Sequence, residues 1–345
     1  MQAGGDVKLL AESTTNSTQL TANSRTSSVK NSREEERLQL STLSGDQGVT
    51  LTAGNNLLAE GAQVDSQEGG IGLSGQNVTI KEARQQVNDR DSENKRVGKT
   101  KSRREEESSR SDAVGSTFSG QSGVTVVARE GDVTVTGSTL HSEDGAIALQ
   151  AKNDVTLNSA TESEATYSEE RSEKKKRFWR KQSSRTVKDD RVTREKGSLL
   201  SGDSVSISAG NDLTVSGSAI AADHDVNLQA GNNVDISAAT ETDAHYLLEE
   251  KKKKGLLSGG GLGFTIGSQS SRHQIDEKGT TQSQSVSTVG SNQGNVTISA
   301  GKQLHIGGAD LVAGKDMTLS GDSVQIDPAT TSAPVRKPLR PSRAG

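Results

Sequence analysis

A block of very short apolar-polar-apolar steps returns four times along this chain, and that repetition limits the possible folds more than any other feature. In the clearest copy, Val205-Ser-Ile207 is followed by Leu213-Thr-Val215, Ile220, Val226-Asn-Leu228 and Val234-Asp-Ile236. The same order runs from Val49 to Val78, from Val124 to Val155 and from Val296 to Val324. Alternation at period two puts both apolar side chains of a step on one face of a strand. Turns such as Ala209-Gly210-Asn211 and Ala230-Gly231-Asn232 separate the steps, and Gly and Asn reverse a chain at little steric cost. A two-residue apolar face makes no core alone. Stacked on an identical rung about 4.8 Å away, it becomes a continuous interior ladder. The expectation is an all-β parallel solenoid, a β-helix, right-angled or triangular in section; with three faces of about seven residues a turn takes roughly 21–22 residues. Val, Thr, Ser, Gly and Asn are poor in helix interiors, which argues against helix. A β-sandwich needs longer strands and more aromatic residues.

Composition fits a solenoid better than a globule. Hydrophobic residues make up 29% of the 345 and aromatics 2%, too little for an ordinary globular core but enough for a thin aliphatic column. There is no cysteine, which excludes disulfides, thiolate metal sites and a cysteine nucleophile. The net charge of −4 gives no global field for nucleic acid, and no nucleic-acid partner is expected. All four prolines follow the last block, so nothing interrupts the ladder before residue 328.

The chain therefore divides into a solenoid over 1–327 and a disordered Pro/Arg tail over 328–345. Blocks lie near 46–80, 122–158, 202–237 and 293–327. Between them are polar arms near 11–45, 81–121, 159–201 and 238–292, which carry most of the charge. Solvated β-hairpin ribbons protruding from the stack suit their alternation of small polar and charged residues; helix and disorder remain open. Both chain ends fall inside the repeat and no secretory signal precedes it, so the expectation is a segment of a longer array or a truncated reading frame.

The sharpest local cluster is Lys174, Lys175, Lys176, Arg177, Phe178, Trp179, Arg180 and Lys181, where six cations flank the only tryptophan. It suits an anionic ligand, a sulfated glycan, a phospholipid headgroup or nucleic acid, through charge pairing and stacking. The plainer reading is a solvated arm tip balanced by Glu169, Glu170 and Glu173. A second cluster, Lys251 to Lys254 followed by the glycine-rich 255–267, reads as a target-engaging hairpin or as a strand returning to the shaft. The five histidines show no metal-ligand spacing, and no metal or cofactor is expected. Asp203, Asp212 and Asp225 read as turn caps rather than calcium ligands. Asn77-Val-Thr79 and Asn295-Val-Thr297 spell sequons inside rungs and read as incidental.

The repeated Ala-Gly-Asn rungs, the Ala-Thr-Glu exits at Ala160 and Ala239, the charged arms and the glycine-rich 255–267 resemble the haemagglutinin repeats of filamentous-haemagglutinin-like exoproteins of bacterial two-partner secretion. The resemblance covers about residues 3–332. It implies a non-catalytic shaft segment of a large adhesin or contact-dependent growth inhibition toxin-delivery protein, secreted or held at the bacterial surface. The partners it implies are an outer-membrane two-partner transporter engaged by a separate N-terminal domain, a target-cell receptor or glycan, and a C-terminal toxin domain in a longer chain. Three alternatives stay open. One is an anionic glycan- or lipid-binding module acting through the basic-aromatic arms. Another is a carbohydrate-active β-helix enzyme, which the low aromatic count disfavours. The last is a non-functional fragment.

Overall fold

The computed structural model describes residues 1–176, 180–258 and 264–329, and among these every regular element is a strand. Three parallel sheets of nine, nine and eight strands run the length of the molecule. One pair of coils shows the rule. Leu199–Gly202, Val205–Ala209 and Leu213–Ser216 place one strand in each sheet, and Ala219–Ala222, Val226–Ala230 and Val234–Ser237 repeat the circuit one rung on. Val205 sits beside Val226 and Leu213 beside Val234, a step of 21 residues. This is the parallel solenoid that the alternation predicts, and its section is the three-sided one.

The interior is built from columns of like residues. One column passes through Val49, Ile71, Val124, Ile147, Val205, Val226 and Val296 as direct neighbours. All of these are buried. Burying each such side chain is worth about 1.5–3 kcal/mol, and in-register stacking repeats that gain at every rung. The Ala-Gly-Asn corners have a packing cause as well as a conformational one. A Cβ on Gly210 would lie 1.9 Å from the Lys152 carbonyl oxygen of the neighbouring coil, so only glycine fits.

Each block holds six strands. The first is easily missed because it points one large apolar side chain inward: Phe118 in Thr117–Gly120, Leu200 in Leu199–Gly202, Val289 in Ser287–Ser291. These strands, and Ser41–Gly45, belong to the solenoid although they fall in stretches read from sequence as arm.

The arms are β-hairpins. They pair Glu12–Asn23 with Ser27–Gln39, Ala83–Val97 with Thr100–Val114, Ala160–Lys175 with Lys181–Lys196, and Ala239–Ser258 with Phe264–Ser285. They do not stand apart as isolated ribbons. Each also pairs with the next arm, and the four hairpins form one eight-stranded antiparallel sheet, a wing along the side of the shaft. The geometry is commensurate. Two coils advance the shaft by about 9.6 Å, and the two strands of one hairpin advance the wing by about the same amount. Residue spacing explains why the arms are strands rather than helices. Oppositely charged residues recur two apart, as in Glu169 with Arg171, Asp189 with Arg191 and Arg110 with Asp112, and this spacing shares a face only on a strand. The expected tail lies, from residue 330 onward, outside the described residues.

Candidate functional site

Every arm leaves the shaft at the same corner, between the third sheet and the first. Where no arm is inserted, the corner is a glycine with positive φ: Gly61, Gly137, Gly217 and Gly308, at 59°, 52°, 55° and 65°. A Cβ on Gly137 or Gly217 would come within 2.5 Å of the Cβ of Ala160 or Ala239, the first residues of the third and fourth arms. The Ala-Thr-Glu exit is thus a small residue packed on a small residue at the root of the wing.

A serine column closes the same corner. The hydroxyls of Ser116, Ser138, Ser198, Ser218 and Ser287 are buried, and each donates to a carbonyl ending a third-sheet strand: Lys81 (2.8 Å), Thr136 (2.8 Å), Asn158 (2.7 Å), Ser216 (3.0 Å) and Ser237 (2.6 Å). Each also accepts a backbone N–H from the coil before: Ala62, Ser116, Ser138, Ser198 and Ser218. Sequence reading missed this column because serine reads as a turn residue. The available signal was the phase of the serine, two residues before the inward Phe118, Leu140, Leu200, Ile220 or Val289.

Of the aspartates read as turn caps, Asp212 and Asp225 accept backbone N–H groups of the next coil. Asp212 Oδ1 accepts the Asn233 N–H at 3.0 Å, and Asp225 Oδ1 accepts that of Asn295 at 2.8 Å. Asp203 meets His224 Nδ1 at 2.7 Å. The sequon residues Asn77 and Asn295 carry such ladders, accepting from the N–H of Asp132 and Asp316. His305 lies between Asp235 (2.9 Å) and Asp327 (3.3 Å), and the hydrogen bond to Asp235 raises its pKa. Among the described residues no group of three or more His, Asp or Glu side chains is placed to hold a metal.

At the far end of the wing the two basic clusters come together. Lys174 and Lys175 end one strand, Lys181 begins the next, and the Lys176 N–H donates to the Arg180 carbonyl at 2.8 Å. Arg177, Phe178 and Trp179 lie outside the described residues, as do 259–263 in the second cluster. Lys181 pairs with Glu173 at 2.7 Å, and this hydrogen bond lowers the Glu173 pKa. Lys181 also lies opposite Lys254, and Ser183 opposite Lys252, so the two lysine runs sit on neighbouring strands.

Register fixes which of these side chains share a face. Arg96, Lys101, Glu173, Ser183 and Lys252 are successive neighbours across five strands. Two residues inward on the same face run Asn94, Arg103, Arg171, Arg185 and Glu250. Three adjacent arginines would repel, but the next row supplies Glu105 and Glu169. Arg103 pairs with Glu105, while Arg171 (2.7 Å) and Arg185 both pair with Glu169. Burial pushes the Glu169 carboxyl up, but the hydrogen bonds from Arg171 and Arg185 outweigh it and hold the pKa at about 2. The outer rows and the turn of the first hairpin line a cleft of about 890 Å³.

A three-sided parallel solenoid with hairpins at a fixed corner defines a repeat protein. The family model for the hemagglutinin repeat matches residues 97–176 and 179–333, and the chain belongs to that family. Among curated proteins it is 57% identical over 182 residues to a "16S rRNA endonuclease CdiA" of Enterobacter cloacae, covering 53% of this chain and 6% of that protein. It is 51% identical over 187 residues to a "tRNA nuclease CdiA" of Yersinia mollaretii, covering 54% of this chain and 6% of that protein. A "tRNA nuclease CdiA-2" of Burkholderia pseudomallei is 32% identical over 292 residues, 85% of this chain and 9% of that protein. No solved structure matches.

Proposed function

We propose that this chain is a non-catalytic shaft segment of a large bacterial toxin-delivery exoprotein, secreted or displayed at the cell surface. The observation that carries this reading is the match itself. Proteins named as nucleases share the chain only over a repeat stretch that is 6–9% of their length, and that stretch folds as a stack of identical coils. The nuclease names are properties of those whole proteins. The repeat holds an effector away from the producing cell, and eight complete coils supply roughly 38 Å of reach. In the longer protein, an outer-membrane two-partner transporter exports the chain, a target-cell receptor or glycan captures it, and a C-terminal toxin domain is the cargo.

The test is an immunoblot of fractionated producing cells with an antibody against residues 200–330. A band far larger than this chain, at the surface or in the medium, is the expected result. A cytoplasmic band of this chain's own size overturns the reading and favours a non-functional fragment.

A further inference from the structure

We propose that the cleft at the outer end of the wing binds a sulfated or phosphorylated glycan. The cleft is contributed by seven of the eight wing strands, so the wing is curled there into a concave surface. Its lining holds eight cationic and two acidic side chains. Arg103, Arg171 and Arg185 are engaged by Glu105 and Glu169. Of the other five, Lys95 is one residue from Arg96 in its strand and so turns to the opposite face, while Arg25, Arg96, Lys101 and Lys252 make no ion pair among the described residues. Glu173 lies opposite Lys101 and attracts it, but its ion pair is with Lys181 from outside the cleft, so one carboxylate is shared among several cations. Like charges crowded on one sheet repel, so an external anion entering here relieves repulsion as well as gaining attraction.

The shape of the surplus identifies the ligand class. From Arg96 to Lys252 the row crosses four strand spacings, about 19 Å laid flat. That span exceeds a single phosphate and suits an extended chain bearing several anionic groups. On the same face stands the hydroxyl of Ser183, and the turn of the first hairpin adds those of Ser24, Thr26 and Ser27 to the lining; hydroxyls both donate and accept hydrogen bonds, as sugar hydroxyls require. Every lining residue is polar. No aromatic ring is present for a base to stack on, and no apolar wedge for insertion into a bilayer. A polyanion made of sugars satisfies all three conditions. The site lies inward of the tip cluster, and among its described residues Lys174, Lys175, Lys176, Arg180 and Lys181 none lines the cleft. The inference is independent of the shaft reading, since it concerns only the wing.

The test uses the whole chain on a dextran sulfate column with plain dextran as control. Salt-dependent retention on dextran sulfate alone is expected. The triple variant Arg96→Ser, Lys101→Ser, Lys252→Ser should elute at lower salt, with the slope of log K against log salt reduced by about three. Lys101→Arg with Lys252→Arg should restore retention relative to their Ser forms, which separates lost charge from lost fold. Lys174→Ser, Lys175→Ser, Lys176→Ser should elute as the parent chain does. Any of three results overturns the proposal: no retention of the parent chain, unchanged elution of the cleft variant, or binding to phosphatidylserine vesicles without binding to dextran sulfate.

Discussion

The Ser198 hydroxyl donates to the Asn158 carbonyl at 2.7 Å across 40 residues of sequence, and this one bond joins the two feet of the third arm. The same oxygen accepts the N–H of Ser138 at 3.4 Å. A side chain so placed satisfies a carbonyl that ends one strand and a donor that begins another, both inside the shaft. Replacing it leaves the Ser138 N–H unpaired in a dry corner, while the Asn158 carbonyl keeps only the Gly137 N–H at 3.0 Å. Ser198→Ala should therefore cost about 1–3 kcal/mol. Because each coil contacts only its neighbours, the loss should be local. Hydrogen exchange should accelerate at Ser138 and at the base of the third arm, and stay unchanged at Val289 in Ser287–Ser291. Uniform acceleration across the shaft would refute this local role.

Phe118 should be the most sensitive single position in the shaft. It is fully buried and stacked between Val64 and Leu140 in a column of smaller side chains. Phe118→Ala removes the ring and leaves a cavity that a parallel ladder cannot collapse without shifting register, so a loss of about 3–5 kcal/mol is expected. Phe118→Leu keeps most of the volume and should cost under about 1.5 kcal/mol. Urea unfolding of the two variants gives the comparison.

The solenoid strands were legible because one face of each is buried, which forces alternation into the sequence. Val205-Ser-Ile207 shows it directly. The wing buries only a few side chains, such as Val187 and Leu248, too few to write a period into its sequence, so nothing in its pattern distinguishes a lone hairpin from four joined ones. What joins them is register, such as Glu105 opposite Glu169, and register between distant polar strands leaves no periodic trace. The first strand of each block was hidden for a related reason, since Thr117–Gly120 has only Phe118 as a large apolar contribution to the core. The basic run 174–181 was visible as composition. The cleft beside it needs Arg96, Lys101 and Lys252 from three separate arms, and no local window contains them.

The Glu169 network should make the wing acid-labile. Its folded pKa of about 2 lies below the ordinary carboxylate value, so its stabilisation is fully present above the unfolded pKa. That contribution is lost as pH falls through the folded value. Arg171 and Arg185 are 55% and 40% exposed, and solvent screening reduces the effect to about 1–2 kcal/mol. Glu169→Gln should be less stable than the parent chain at pH 7, and the difference should shrink between pH 4.5 and pH 2. Thermal melts followed by wing amide exchange would show it; a difference independent of pH would exclude the mechanism.

His305 should act in the opposite sense. Its pKa is raised by the hydrogen bond to Asp235, with Asp327 adding to it. A group whose folded pKa is raised contributes fully below its unfolded pKa and loses that contribution as pH rises through the folded one. The last coils should therefore be tighter in mildly acidic buffer than in alkaline buffer. In His305→Gln the protection at Leu304 and Ile306, taken relative to the intrinsic base-catalysed exchange rate at each pH, should lose this dependence on pH. Persistence of the dependence in the variant would assign it to another group.

The match between coil rise and hairpin width predicts what happens when one is changed without the other. The wing stays continuous only because two coils separate each arm from the next, about 9.6 Å for two strands. Inserting one arm-free coil, a copy of residues 205–225, between the third and fourth arms adds about 4.8 Å to the shaft and nothing to the wing. The inserted coil carries the same inward Val, Ile and Leu, so the solenoid should accept it. The wing should then part between Lys181–Lys196 and Ala239–Ser258, the two strands that bridge those arms. The amides that lose protection should be those facing across that seam, while pairing within each hairpin, such as Glu169 with Val187, should persist. Inserting the coil together with a duplicate of half an arm leaves an unpaired strand and should not rescue it. Inserting two coils with a complete arm should restore protection, because only that change keeps shaft and wing in step. If the single-coil insertion left the seam protected, the wing would have to be stretching or shifting register, and its continuity would not depend on the rise of the shaft.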